Sequence, residues 1–212
     1  MTKNNHLAGV VLAGGQSRRM GGGDKSLLML AGKPLLAHVI DRLRPQVGSI
    51  AINANGDAAR FAAFNLPVIT DTIDGFAGPL AGVLAGLRWA QEHARGSRYV
   101  VTAASDTPFF PAGLPGLLRN AATSRDDTIV LASSNGRLHP VFGLWPCALA
   151  DDLELWLKNG DNRKVLAWVD RHRLVEVPFP PIEYDDYEVD PFFNANTPEE
   201  LEQAEDIARH IF

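Results

Sequence analysis

Strand-like and helix-like patterns alternate along most of the chain, and that alternation limits the possible folds more than any single motif does. Leu7 to Ala13, Ile50 to Ala54, Leu66 to Thr70 and Tyr99 to Ala104 read as strands. Between them, the stretches after Pro34 and Pro79 carry apolar residues at helical spacing. Each proline stands at a helix start, where its missing N–H costs little. Tyr99 to Ala104 is apolar or small throughout, as suits a central parallel strand covered on both faces. Such alternation predicts an α/β fold with a mostly parallel sheet between two helical layers. Thr128 to Ser134 and Leu138 to Leu144 are further strands joined by Asn135-Gly136, a strong hairpin signal, so one antiparallel strand is expected.

The rest of the pattern is less regular. Asp57 to Phe64, Pro111 to Ala122, Asp151 to Lys158 and Arg163 to Arg171 read as helices, and Leu174 to Val177 as a short strand. The proline- and acid-rich stretch 178–191 reads as an irregular surface loop, and Phe192 to Ala195 as a last short strand. Thr197-Pro198-Glu199-Glu200 is a capping box, with Thr197 as N-cap and Glu200 reaching back, and it opens the final helix.

The first strand runs into Gly14-Gly15-Gln16-Ser17-Arg18-Arg19-Met20-Gly21-Gly22-Gly23-Asp24-Lys25. Glycines let backbone N–H groups approach a ligand closely, and consecutive N–H groups form a concave anion site. Arg19 and Lys25 add a planar fork and a mobile point charge, both suited to phosphate. Spacing excludes two familiar phosphate loops. Asp24 separates Gly23 from Lys25, against the P-loop, and Ser26 stands where a dinucleotide fingerprint needs its third glycine. Asp24 itself is expected to be a structural partner of Arg18 or Arg19.

In doubly wound sheets ligands bind outside the carboxyl ends of the strands. The four leading strands end in the glycine loop, in Asn53, in Asp71 and in Asp106. Turn chemistry can place Asn and Asp at strand ends for local reasons. Four polar ends beside a cationic glycine loop point further, to a nucleotide site. Nucleotidyl transfer needs positioning and charge compensation more than covalent work. Lys25 and Arg19 can compensate the charge, and Asp106 is the best candidate for a carboxylate holding Mg²⁺, with an Asx-turn or helix cap as its plainer alternative. His139 could serve as a base, but a hydrogen-bonded surface histidine is the preferred reading. Trp145, Trp156 and Trp168 read as packing, and Cys147 as a buried small hydrophobe.

Composition narrows the classes. The chain has 212 residues, 46% hydrophobic and 21% charged, with a net charge of -5 and one cysteine. Its length favours one domain, 1–212. The acidic balance disfavours nucleic acid or an anionic membrane as partner, so an anionic ligand must be held by local cations. One cysteine allows no internal disulfide; without a leader-like pattern or a long apolar run, a cytoplasmic location is expected.

The loop matches L-A-G-G-x-S-x-R-M-G-x-x-D-K, and with it the chain resembles the molybdenum cofactor guanylyltransferases. The resemblance continues through the Asn53 turn, Asp71, Gly78-Pro79-Leu80-Ala81-Gly82, Asp106-Thr107-Pro108, His139-Pro140 and Asn194-Ala195-Asn196-Thr197-Pro198. It implies a single Rossmann-like domain that joins GMP from GTP to molybdenum-molybdopterin and releases pyrophosphate. It further implies that Leu12, Ala13, Gly14, Gly15, Lys25, Asn53, Asp71, Gly78, Gly82 and Asp106 contact GTP, that Asp106 holds Mg²⁺, and that Asn194 and Asn196 face the pterin. Transient contact with molybdopterin-delivering proteins and molybdoenzyme chaperones is part of the same expectation. A cytidylyltransferase for the same cofactor or a sugar-phosphate nucleotidyltransferase would share the loop and the carboxylate. A nucleotide-binding regulatory module without turnover would need neither Lys25 nor Asp106.

Overall fold

The computed structural model describes residues 4–14, 24–73, 78–122, 127–159, 164–184 and 187–211. Strand β1 (Asn4–Leu12) is followed by a short hairpin, β2 (Met29–Leu30) and β3 (Lys33–Pro34), and by helix α1 (Leu35–Leu43). Pro34 is the N-cap of α1 and Pro45 sits in the 3₁₀ turn that ends it. Then come β4 (Val47–Asn53), β5 (Val68–Ile69), α2 (Pro79–His93), β6 (Tyr99–Ala104) and α3 (Leu114–Ala121). The second half holds β7 (Thr128–Ser134), β8 (Arg137–Pro146), α4 (Ala150–Asn159), α5 (Val165–Val169), β9 (Arg173–Pro178), β10 (Ile182–Tyr184), β11 (Tyr187–Val189) and α6 (Pro198–Ile211).

Seven strands form one sheet in the order β5-β4-β1-β6-β8-β7-β9. All its ladders are parallel except the two that β8 makes with β6 and β7. The chain builds outward from β1 to β4 and β5, then crosses back through α2 to place β6 on the other side of β1. That reversal opens a crevice at the carboxyl ends of β1 and β6, the place where such sheets bind ligands. Helices α1 and α3 cover one face of the sheet, packing Val39, Leu43, Leu114 and Leu118 on Val11 and Val101. Helices α2, α4 and α5 cover the other, with Leu84, Leu153 and Trp168 against Val10 and Trp145. Burial on both faces explains why the central strands lack polar alternation. A third, smaller cluster docks α6 onto Leu30, Leu35 and Phe109, beside the crevice.

Three expectations change. The stretch 178–191 contains the antiparallel β10–β11 hairpin, with Ile182 opposite Val189. Its strands, Ile182-Glu183-Tyr184 and Tyr187-Glu188-Val189, are too short for their alternation to stand out among the surrounding prolines and acids. Phe192 to Ala195 forms no strand. Its backbone turns at Asp190, whose carbonyl accepts from Phe193 N at 3.0 Å, while Ala195 N donates to Asp106 O at 3.0 Å. The helix expected over Asp57–Phe64 is a 3₁₀ helix at Ala58–Phe64. No helix among the described residues is long and apolar enough to cross a membrane.

Candidate functional site

β1 pairs on both sides through Leu12, which faces Asn53 of β4 and Ala104 of β6. The ladders run one step further: Ala13 N donates to Asn53 O at 2.8 Å and Ser105 N to Leu12 O at 3.1 Å. Leu12, Ala13 and Gly14 therefore leave the sheet at its centre, flanked by the ends of β4 and β6. Residues 15–23, including the expected contacts Gly15 and Arg19, lie outside the described residues.

The loop returns to the site at Asp24 and Lys25. Asp24 caps the 3₁₀ turn Lys25–Leu27, with Oδ1 accepting from Ser26 N at 3.1 Å and from Ser26 Oγ at 2.6 Å. This cap aims Lys25 across the crevice. Its Nζ lies 2.8 Å from Asp106 Oδ2 and also donates to Asn196 Oδ1. Both members of the pair are mostly shielded, with side-chain exposures of 14% and 24%. Thr107, fully buried, donates its hydroxyl to Asn194 Oδ1, and the same oxygen lies 3.2 Å from Asp106 Oδ1. Lys25, Asp106, Asn194 and Asn196 are thus one connected group drawn from three parts of the chain.

A second group flanks it on the β4–β5 side. Asn53, 3% exposed, donates from Nδ2 to Asp71 Oδ1 at 3.0 Å and to Ile69 O at 3.3 Å. Asn55 donates to the other oxygen of Asp71 at 2.8 Å and accepts from Asp71 N at 3.0 Å. The carboxylate is held on both oxygens yet keeps acceptor capacity, since each oxygen has two lone pairs. Gly82 makes the close approach possible. A Cβ there would stand 2.3 Å from Asn53 Oδ1 and 2.8 Å from Leu12 Cδ2. Gly78 caps α2 with φ of 68°, a backbone that side chains other than glycine rarely adopt.

One residue that sequence reasoning passed over ties the two groups together. Arg60 Nε lies 2.6 Å from Asp24 Oδ2, while its terminal nitrogens donate to Asp57 O at 2.6 Å and Asn55 O at 2.7 Å. Among the described residues Arg60 is therefore the cation that Asp24 meets, where proximity in sequence had suggested Arg18 or Arg19. Those two fall outside the described residues. Arg60 sits in a stretch patterned as an ordinary surface helix, and nothing there signals a target 36 residues back.

Of the carboxylates at the crevice, Asp106, paired through Oδ2 with Lys25, could hold a cation. No cluster of three His, Cys, Asp or Glu side chains gathers among the described residues. That donor set fits a hard cation that arrives with phosphate oxygens and keeps its waters, and does not fit a tightly caged structural ion. His139 is half-buried, and its Nε2 lies 2.6 Å from Ser134 Oγ. Burial pushes its pKa down; Arg137 adds to that and Asp190 opposes it. Cys147 is buried, and desolvation raises its thiol to about 11, so it is not a nucleophile at neutral pH. Trp145 and Trp168 are fully buried and stacked, 6.1 Å between ring centroids.

Residues 9–175 match the family described as the MobA-like NTP transferase domain. The molybdenum cofactor guanylyltransferase of Rhodopseudomonas palustris (strain BisB5) is 52% identical over 94% of this chain and 92% of its own length. That of Mesorhizobium japonicum is 50% identical over 93% of this chain and 94% of its own. Among solved structures, molybdopterin-guanine dinucleotide biosynthesis protein A from Archaeoglobus fulgidus superposes with a TM-score of 0.73 at 25% identity, covering 95% of this chain and 98% of that one. With the family model spanning residues 9–175 and relatives of about half identity matching nearly end to end, the chain belongs to the molybdenum cofactor guanylyltransferases, within the MobA-like NTP transferase family.

Proposed function

We propose that this protein transfers GMP from GTP to the terminal phosphate of molybdenum-molybdopterin, releasing pyrophosphate and forming the guanine dinucleotide cofactor. The observation that carries this reading is the Lys25–Asp106 pair, 2.8 Å apart at the crevice, with Asn53 and Asp71 fixed alongside. Asp71 offers an acceptor to a nucleoside whose ribose hydroxyls and guanine N–H groups are donors. Gly82 leaves room for Asn53 to back it.

The attacking group is a phosphate monoester, mostly ionised at neutral pH, since its second pKa is about 6. No general base is needed, and its oxygen can attack the α-phosphorus of GTP in line, without a covalent enzyme intermediate. Lysine is a compact charge on a flexible stem. Lys25 can therefore leave Asp106 for the non-bridging oxygens of the α-phosphate as they gain charge, with Asn196 keeping the ammonium directed. The backbone of Leu12 to Gly14 would bracket the triphosphate at the carboxyl end of β1. Asp106 is the residue that would hold a divalent cation, Mg²⁺ in our reading, which when bound neutralises charge on the triphosphate.

The test measures pyrophosphate release with Mg²⁺, molybdopterin and GTP, CTP or ATP in separate reactions. Release with GTP alone is expected. Preference for CTP would overturn the guanylyl assignment, and no release with any of them would overturn catalysis. Lys25→Ala should lower turnover by about 100-fold or more, the scale on which lost transition-state donors act, while circular dichroism stays that of the folded protein.

A further inference from the structure

One partly buried polar cluster has no part in the transfer just described. Ser134 ends β7 and is 2% exposed. Its hydroxyl lies 2.6 Å from His139 Nε2 and donates to Asp190 Oδ1 at 2.8 Å. A serine hydroxyl has one hydrogen. Given to Asp190, it leaves the Ser134 oxygen as acceptor, so neutral His139 carries its proton on Nε2. The chain of donors runs from His139 to Ser134 to Asp190.

A serine, a histidine and an aspartate together invite a nucleophile reading, but their order excludes it. In a hydrolytic triad the carboxylate orients the histidine and the histidine takes the serine proton. Here the carboxylate takes the serine proton and the histidine gives one. With its hydroxyl buried, Ser134 serves as a link.

What the link holds lies next to the crevice. Asp190 Oδ1 also accepts from Phe192 N at 2.8 Å, closing a tight turn. The His139 ring stacks on Phe192 with centroids 4.3 Å apart, and Phe192 is itself buried against Phe142 and Phe179. Just beyond this turn Asn194 meets Thr107, Ala195 N donates to Asp106 O, and Asn196 meets Lys25. Residues 190–196 belong to no helix or strand, so no repetitive backbone bonding sets their register.

We propose that His139 is a positioning residue for the transfer: through Ser134, Asp190 and Phe192 it fixes segment 190–196 so that Asn196 aims Lys25 and Asn194 holds Thr107 beside Asp106. The proposal rests on reading the Lys25–Asp106 pair as the transfer site. A long lysine side chain has many rotamers, and small misplacements of a catalytic group are costly in rate.

The test compares His139→Leu, which removes donor and ring, with His139→Gln, whose amide can restore the donor to Ser134. Three quantities are read on each full-length protein: kcat and KM for GTP, the melting temperature, and hydrogen exchange at the Ala195 amide. His139→Leu should lower kcat about 10- to 100-fold, more than it raises KM, as expected for a misaimed group. Ala195 exchange should quicken, and His139→Gln should recover most of both effects. Full kcat in His139→Leu overturns the proposal. So does a loss of kcat in both variants that follows their loss of melting temperature, with no advantage for glutamine. If the unaltered protein releases no pyrophosphate, the function assigned above fails instead. The exchange comparison then decides the brace alone, unchanged Ala195 exchange in His139→Leu overturning it.

Discussion

At Gly82 the absence of a side chain is what lets Asn53 stand where it does. A methyl group there would have to push aside a buried amide that is itself tied to Asp71 and Ile69. Overpacking of this kind costs about 1–3 kcal/mol. Gly82→Ala should therefore melt earlier, and because it displaces the Asn53 amide that holds Asp71 it should also bind GTP about 10-fold more weakly, the scale of one lost hydrogen bond to a charged group. Titration of a fluorescent GTP analogue checks the affinity, and wild-type affinity would refute the close-packed account. Asn53 and Asp71 were legible in the sequence because each stands at a strand end, which the sheet rule sends to one side, whereas Gly78 and Gly82 came only with the family resemblance. Arg60 was not legible, because a salt bridge between distant segments leaves no trace in local patterning. Asn196 shows the limit of analogy: resemblance brought it to the site, but only the structure gives it Lys25 as a partner.

The capping box at the start of α6 shows an element serving its neighbours. Glu200 Oε2 accepts from Thr197 N at 3.0 Å, and Thr197 Oγ1 accepts from Glu200 N at 3.2 Å, as the sequence motif predicts. Glu200 Oε2 also accepts from Asn196 N at 2.6 Å, which no capping rule requires. The two halves of the box should then separate. Thr197→Ala should cost about 1 kcal/mol of stability, the usual price of an N-cap, and leave kcat near wild type. Glu200→Ala should cost about as much in stability, by the same capping energetics, and lower kcat as well, because it frees the backbone at Asn196. Urea denaturation paired with turnover measures both, and equal kcat in the two variants would contradict the coupling. Elsewhere, elements were read well where periodicity is long and poorly where it is short. α1, α2, β6 and the β7–β8 hairpin emerged from their patterns, whereas the β10–β11 hairpin has strands of three residues each, too few for alternation to stand out among prolines. The turn at Asp190 looked like a strand because Phe192 and Phe193 are apolar. One packs under His139 and the other near Phe109, with no ladder between them.

For the whole molecule, the sheet order could not be read from sequence, although its mostly parallel character could. Alternation predicts parallel strands and Asn135-Gly136 predicts a hairpin, but neither says that β8 inserts between β6 and β7. Long-range pairing decides that, and no local signal encodes it. The folded state also sets how stability responds to acid. Burial holds the His139 pKa below its ordinary value, with Arg137 acting the same way and Asp190 against it. An unfolded chain would protonate that histidine at its ordinary value of about 6.5. Below that pH the unfolded state binds more protons than the native state, so stability falls as pH falls. Melting temperature should decline from pH 7 toward pH 5, and His139→Gln should flatten the slope; an equal slope in both proteins would exclude His139 as a contributor.

The tie between Lys25 and Asn196 joins residues 171 positions apart. All seven strands of the main sheet lie before residue 179, but Thr107 and Lys25 gain Asn194 and Asn196 only when the segment after Asp190 docks on that sheet. A chain cut short of Asn194 would keep every strand of the sheet while lacking the residues that complete its centre.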